Sequence, residues 1–328
     1  MSDFSASDIR LAIIGLGPWG KNFVSSISDV PGVTLSYVVS SNPDNISYLP
    51  SQTSLVHDYH KILDPKIIEG AIITTPPSTH ASIAKDLLDH DLSIVIEKPL
   101  TLSFQDAEKL MVLAEQKPVS VFVDNTYLFN PAFRAFKSLL SRYGPIQKIT
   151  TLSGKWVRSQ KETPVLWDWA PHDIAMCIDI LKSFPNDMSM CSTPPIHHHP
   201  YAESLSINLQ FDTIPVHIQI SNALSQKTRL FQVETTHHMI VFRDYSTQAI
   251  QVFDKQTSSY EKESFSYERT RPLTILIQEF SQAVANHQHD ISHLKLGMDV
   301  VQILSQLDAL KKATSSNKGS NTKRLDLY

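Results

Sequence analysis

The chain has 328 residues, about twice the length of a typical domain, so two domains are expected. Hydrophobic residues at 41% and charged residues at 19% provide a sizeable core, which excludes a wholly disordered chain. With 29 basic against 33 acidic residues the net charge is −4, which excludes a global basic field for nucleic acid or anionic membrane.

Residues 9–15 (IRLAIIG) form a short apolar, β-branched run ending in glycine, the pattern of a buried strand. Similar runs follow at 33–39, 70–74, 92–96 and 119–123. Helical stripes lie between them over 78–90 and 103–116, the second with Ser103 as N-cap and Asp106 three residues on. Strands alternating with helices give an α/β domain over 1–124 with a doubly wound parallel sheet. After Asn130-Pro131 the rhythm changes. A helix over 131–143 stops at Gly144-Pro145, and an amphipathic stretch covers 171–183. Strands follow at 203–211, 214–221, 229–235, 238–243 and 248–253 with no long helix between them, so this sheet is mostly antiparallel. Helices over 272–286 and 295–312 complete a second, α+β domain (125–328) with a large open sheet, the last helix and tail being able to pack back on the first. The segment 313–323 is polar and expected to be mobile, and the final RLDLY to dock as a short strand.

No apolar run reaches the about 18 residues of a membrane span, and the start MSDFSASDIR lacks the features of a signal peptide. Cys177 and Cys191 are too few for a disulfide framework, so a cytoplasmic protein is expected.

Gly15-Leu16-Gly17-Pro18-Trp19-Gly20 fits G-x-G-x-x-G directly after the first strand. The first glycine allows a tight turn, the second lets the backbone approach a pyrophosphate, and the third lets helix and strand pack closely. The helix start offers free N–H groups to phosphates, and Pro18 is compatible with that position. The pattern predicts the opening of a Rossmann domain that binds NAD or NADP. The acidic residue expected about 20 residues on, for the adenosine ribose, is replaced by Ser40 and Ser41. Its absence removes repulsion against a 2′-phosphate and leans slightly toward NADP.

Three further segments are Thr74-Thr75-Pro76-Pro77-Ser78-Thr79-His80, Glu97-Lys98-Pro99-Leu100, and Asp168-Trp169-Ala170-Pro171-His172-Asp173. With the glycine turn they resemble the glucose–fructose oxidoreductase / inositol dehydrogenase (Gfo/Idh/MocA) family. The resemblance implies a nicotinamide-dependent enzyme acting on a sugar, inositol or nucleotide sugar, and a cis Lys98–Pro99 peptide that turns the lysine into the cleft. The glycines that the family usually carries around the aspartate and histidine are missing here.

Ligands in doubly wound sheets bind at the carboxyl ends of strands, which places Thr74–Pro77 and Glu97–Pro99 against the cofactor. His80 reads equally as a cofactor contact or as a polar residue at a helix start. Lys98 is expected to polarise a carbonyl or move a proton. Asp168 and His172 are four apart, on one helix face. If the helix begins at Pro171, its dipole keeps His172 neutral and able to accept a proton, with Asp168 orienting the ring. The bland alternative is a capping Asp and a surface His. Either Lys98 or His172 is the principal base. Tyr127, Arg158, Trp167 and Trp169 are pocket candidates, the tryptophans equally so for domain-junction core. The histidines at 197–199, 237–238, 287, 289 and 293 lack ligand spacing and read as solvated loops, so no metal is expected. The expected partners are a small sugar-type substrate and further copies of the chain, as a homodimer or homotetramer through the second sheet. Neither nucleic acid nor membrane is expected. The rival reading is a non-catalytic sensor of dinucleotide or sugar on the same scaffold.

Overall fold

The computed structural model describes residues 8–156, 163–194, 200–244, 246, 248–257, 260–261 and 265–319. Arg158, the histidines at 197–199 and the C-terminal RLDLY lie outside the described residues. In chain order the elements are β1 (Ile9–Ile14), α1 (Pro18–Ile27), β2 (Val33–Val39), β3 (Ser54–Val56), β4 (Gly70–Ile73), α2 (His80–Asp89), β5 (Ser93–Glu97), α3 (Phe104–Glu115) and β6 (Val121–Asp124). Then follow α4 (Pro131–Leu139), β7 (Lys148–Gly154), α5 (Val165–Leu181), β8 (Asp187–Thr193), β9 (Ser204–Phe211), β10 (Ile214–Ser221), β11 (Thr228–Glu234), β12 (His238–Arg243), β13 (Ile250–Asp254), β14 (Tyr260–Glu261), α6 (Pro272–Ala285) and α7 (Ser292–Gly319). Short 3-10 turns lie between some of them.

Two compact units result: residues 1–131 with 268–301, and residues 132–267 with 302–328. In the first, six parallel strands run in the order β3-β2-β1-β4-β5-β6. Strands β4, β5 and β6 are buried along their whole length, as β-branched runs covered on both faces must be. Phe23 and Ile27 of α1 and Ala107 and Leu110 of α3 close onto this sheet's core. Ser103 caps α3 as its sequence indicates, accepting a bond from Asp106 N–H. β3 was not expected, being only three residues long. The segment from 268 to 301 covers the free edge of β6. Val121 N–H donates to the Asp290 carbonyl at 2.8 Å, and Phe280 meets Phe122 edge-on at 5.6 Å. Covering an edge in this way removes a template for unwanted strand pairing. His293, expected to be solvated, instead stacks against Phe122 at 4.4 Å and Phe129 at 5.1 Å.

The second unit holds an eight-stranded sheet in the order β14-β13-β12-β11-β7-β10-β9-β8. It is antiparallel except where β7 pairs with β10. Helix α4 lays Phe133 and Phe136 edge-on against Phe231 at 5.9 and 6.0 Å. Strand β7, central to the sheet, had no expected counterpart, because Thr151 and Ser153 share its buried face with Ile149. Helix α7 runs on through 313–319.

Helix α5 begins at Val165, six residues before the expected start, and holds Pro171 inside it. Proline removes one N–H from the ladder. Burial of Val165, Leu166, Trp167, Trp169 and Ala170 outweighs that loss. Asp173 of α5 and Arg229 of β11 form an ion pair at 2.8 Å, with side chains 0% and 2% exposed. The Ser153 hydroxyl donates to the same Asp173 oxygen at 2.7 Å. The ring of Trp169 lies 5.8 Å from the guanidinium.

Candidate active site

In the first unit the connection order reverses between β1 and β4, where Ile14 lies opposite Ile73. Such a reversal opens a crevice beyond the strands' carboxyl ends. The residues that enter it are Gly15 and Thr74. Gly15 has φ +97°, and a side chain there would press within 2.9 Å of Thr75 N. A side chain at Gly20 would collide with the Gly15 carbonyl. Gly17 is different: a Cβ there would meet nothing within 4 Å. Gly15 and Gly20 are thus required by the protein's own packing, while Gly17 leaves backbone bare toward open space. Thr74 locks the turn, its hydroxyl donating to the Gly15 carbonyl at 2.6 Å. Gly17, Pro18 and Trp19 are exposed, Trp19 to 40%. Helix α1 has no side-chain cap and no acid in its first turn, so its N–H groups and dipole face an anion unopposed.

At the end of β2, Ser40 N–H donates to the Val56 carbonyl. The Ser40 hydroxyl oxygen accepts from Asn42 N–H at 3.2 Å and from the Asn45 side-chain amide at 2.8 Å. His57 Nδ1 donates to the Ser40 carbonyl at 2.7 Å. With two donors on its oxygen, Ser40 is left to offer its own O–H hydrogen. Ser41 beside it is exposed.

Pro76 caps a 3-10 turn at Pro77–Thr79, and the Thr79 hydroxyl donates to Thr75 Oγ1 at 2.7 Å. His80 is the first residue of α2, as the helix-start reading has it, but is 1% exposed. Its Nδ1 lies 3.0 Å from the Pro99 carbonyl and its Nε2 2.9 Å from the Thr75 carbonyl. Burial pushes the imidazole below its ordinary value, against the opposing pull of those carbonyls. Lys98, half-buried, follows Glu97 at the carboxyl end of β5, and the Lys98–Pro99 peptide is cis. Tyr127 is half-buried in a 3-10 turn of this unit.

In the second unit Asp168 occupies the first turn of α5, bonding Pro164 O through its N–H at 3.0 Å. His172 lies one turn further in, 8% exposed. The helix dipole therefore acts on Asp168, which it favours as an anion, and not on His172 as expected. His172 is also not the surface histidine of the bland reading. Trp167 and Trp169 are buried at 7% and 9%. Among the described residues, no group of three or more His, Cys, Asp or Glu is placed to hold a metal, and no helix is long and apolar enough to cross a membrane.

Residues 9–125 match the Gfo/Idh/MocA oxidoreductase family, described as having an NAD-binding Rossmann fold. A crystal structure from Magnetospirillum magnetotacticum MS-1 is 31% identical, with a TM-score of 0.84 over 92% of this chain and 100% of that one. The chain belongs to the Gfo/Idh/MocA family. Among its curated relatives is the scyllo-inositol 2-dehydrogenase (NADP(+)) of Bacillus subtilis, 26% identical over 160 residues, 48% of this chain and 44% of that one. Another is the scyllo-inositol 2-dehydrogenase (NAD(+)) of the same organism, 26% identical over 129 residues, 38% of each chain. The chain thus spans about half or less of the length of these relatives. Its first unit carries the family's NAD-binding Rossmann fold, and the bare backbone at Gly17 and open start of α1 fit a dinucleotide pyrophosphate.

One buried acid within reach of the Lys98 charge was not singled out from the sequence. Asp124 ends β6 directly opposite Glu97 in register, and is wholly buried. Burial pushes its carboxyl up to about 6, partly offset by the Thr126 hydroxyl, which donates at 2.9 Å, and by the charge of Lys98. The signal was an acid closing the apolar run VSVFVD beside the Glu-Lys-Pro strand. Because the folded carboxyl holds its proton above the unfolded value of 3.8, stability is full below that value and declines as pH rises toward 6. Asp124→Asn removes the decline. Its stability gain over the parent should grow between pH 4 and 6 to the order of 2–3 kcal/mol and level off above, in urea titrations at each pH. A difference that is flat across this range would contradict the assignment.

Proposed function

We propose that the protein is a cytoplasmic NAD(P)-dependent oxidoreductase acting on a hydroxyl or keto carbon of a sugar, inositol or nucleotide sugar. The single observation that carries this is the crevice at Gly15 and Thr74, in which only Gly17 lacks an internal reason to be glycine. Gly15, Gly17, Gly20 and the start of α1 with Pro18 and Trp19 would hold the pyrophosphate, and Thr74–Pro77, Glu97 and Lys98 the nicotinamide half. When bound, the dinucleotide supplies or takes the hydride. Lys98 and His172 act as the acid/base groups on the reacting oxygen, and Asp168 orients His172. The ammonium of Lys98 stabilises negative charge there, and a neutral imidazole accepts the proton. Tyr127, Arg158, Trp167 and Trp169 are the substrate-side candidates. The open second sheet is the face offered to a second copy of the chain.

The adenosine end favours NADP. Ser40 presents a donor where an NAD enzyme presents an accepting carboxylate, and a phosphate needs donors. Titration with NADPH and NADH, followed by Trp19 quenching, should saturate in the micromolar range with NADPH the tighter. Ser40→Asp should reverse that order by about tenfold or more, through repulsion of the 2′-phosphate. Turnover is then tested on a panel of sugars, inositols and nucleotide sugars. Failure to bind either cofactor, with no dinucleotide released on denaturation, refutes the proposal. Binding without turnover on any substrate would favour a sensor.

A further inference from the structure

The side chain of His80 stands between two loops of the first unit. One carries Thr75 and Pro76 away from β4, and the other carries Lys98 and Pro99 away from β5. The imidazole faces a carbonyl of each, with Nδ1 3.0 Å from Pro99 O and Nε2 2.9 Å from Thr75 O. Both partners are acceptors, so the ring can satisfy them only by donating. It sits on the first residue of α2, a rigid base, and is 1% exposed. A side chain so enclosed does not cap its helix, and the Thr79–His80 start of α2 has no side-chain cap bond. What it does is set the separation of two loops that chain connectivity leaves independent.

We propose that His80 is a positioning residue, whose ring N–H, on Nε2 in one tautomer and on Nδ1 in the other, ties the Thr75 loop or the Lys98–Pro99 loop in register for cofactor and lysine respectively. This rests on the proposed function for its kinetic consequence, but not for its structural one. A neutral ring donates to one carbonyl at a time, so the two arms are separable by isosteres. Asparagine places an amide nitrogen where Nδ1 stands, and glutamine places one where Nε2 stands. His80→Asn keeps the arm to Pro99 and drops the arm to Thr75. His80→Gln does the reverse.

Hydrogen exchange of the protein without cofactor reads the arms directly. In His80→Asn, the segment 74–79 should exchange about tenfold faster while 98–103 keeps its protection, since about tenfold is what one net hydrogen bond is worth. In His80→Gln the pattern should invert. Kinetics should split in the same way. His80→Asn should raise the cofactor KM with kcat nearly unchanged, and His80→Gln should lower kcat with cofactor KM nearly unchanged. Parental exchange in both segments of both variants, or equal loosening of both segments in each, overturns the proposal. A parent that binds no cofactor would sink the functional reading instead, and the exchange pattern would still decide the role of His80.

Discussion

Arg229→Met should lower stability by about 3–5 kcal/mol, the cost of leaving a buried charge without its partner. Asp173 is wholly enclosed on α5, and the Arg229 guanidinium on β11 is its counter-ion at 2.8 Å. The Ser153 hydroxyl on β7 supplies a further bond to the same oxygen, but no charge. With Arg229 removed, the carboxylate must ionise unpaired, take up a proton, or draw water into the core. Each is costly in a low-dielectric interior. Arg229→Lys should recover only part of the loss, because an ammonium cannot reproduce the planar guanidinium placed near the Trp169 ring. The double variant Arg229→Met/Asp173→Asn should be more stable than Arg229→Met alone, since it removes the orphaned charge. Urea unfolding followed by tryptophan fluorescence measures all three. A loss below about 1 kcal/mol for Arg229→Met would show that the pair is not the lock between α5 and the sheet. Under the proposed acid/base roles the lock would bear on turnover, because Asp173 adjoins His172 and its helix also carries Asp168.

Lys98→Met and His172→Asn should each lower turnover by about 10² or more while leaving cofactor affinity within a few-fold of the parent. Loss of a general acid or base removes transition-state stabilisation, while both variants keep the glycine turn that is proposed to hold the pyrophosphate. Methionine keeps the unbranched bulk of Lys98 and deletes its charge. That charge also counts for Asp124, whose carboxyl it pulls downward, so Lys98→Met should leave Asp124 protonated to higher pH. Single-turnover measurements with prebound cofactor separate chemistry from binding. Two variants that both turn over like the parent would mean that the acid/base assignment is wrong.

The features legible in the sequence are those with local causes. Apolar β-branched runs had to be strands buried on both sides. Gly15 with positive φ had to be glycine wherever the chain went next. Ser103 capped α3 through a bond spanning three residues. Thr-Pro-Pro and Glu-Lys-Pro could be placed at strand ends because the strands before them were plain. Pro171 misled, because a proline is a strong stop only until enough buried side chains on the preceding turn outweigh its missing N–H. The position of His172 along its helix, and with it the dipole argument, followed that error.

What only the tertiary structure decided concerns polar groups whose partners are distant in the chain. Strand β7 reads as polar because Ser153 and Thr151 face inward, and Ser153 finds Asp173 on a helix twenty residues later. Arg229 reads as a surface arginine until Asp173 is set against it. Asp124 becomes unusual only when the fold buries the end of β6 and its water is gone. His80 is a polar residue at a helix start in sequence, and a brace in space, because the two carbonyls that it meets come from loops five and nineteen residues away. The sequence by itself determined the elements with plain local patterns, the glycine turn and the family. Burial and long-range pairing, which no local pattern encodes, decided which of its polar residues are held fast.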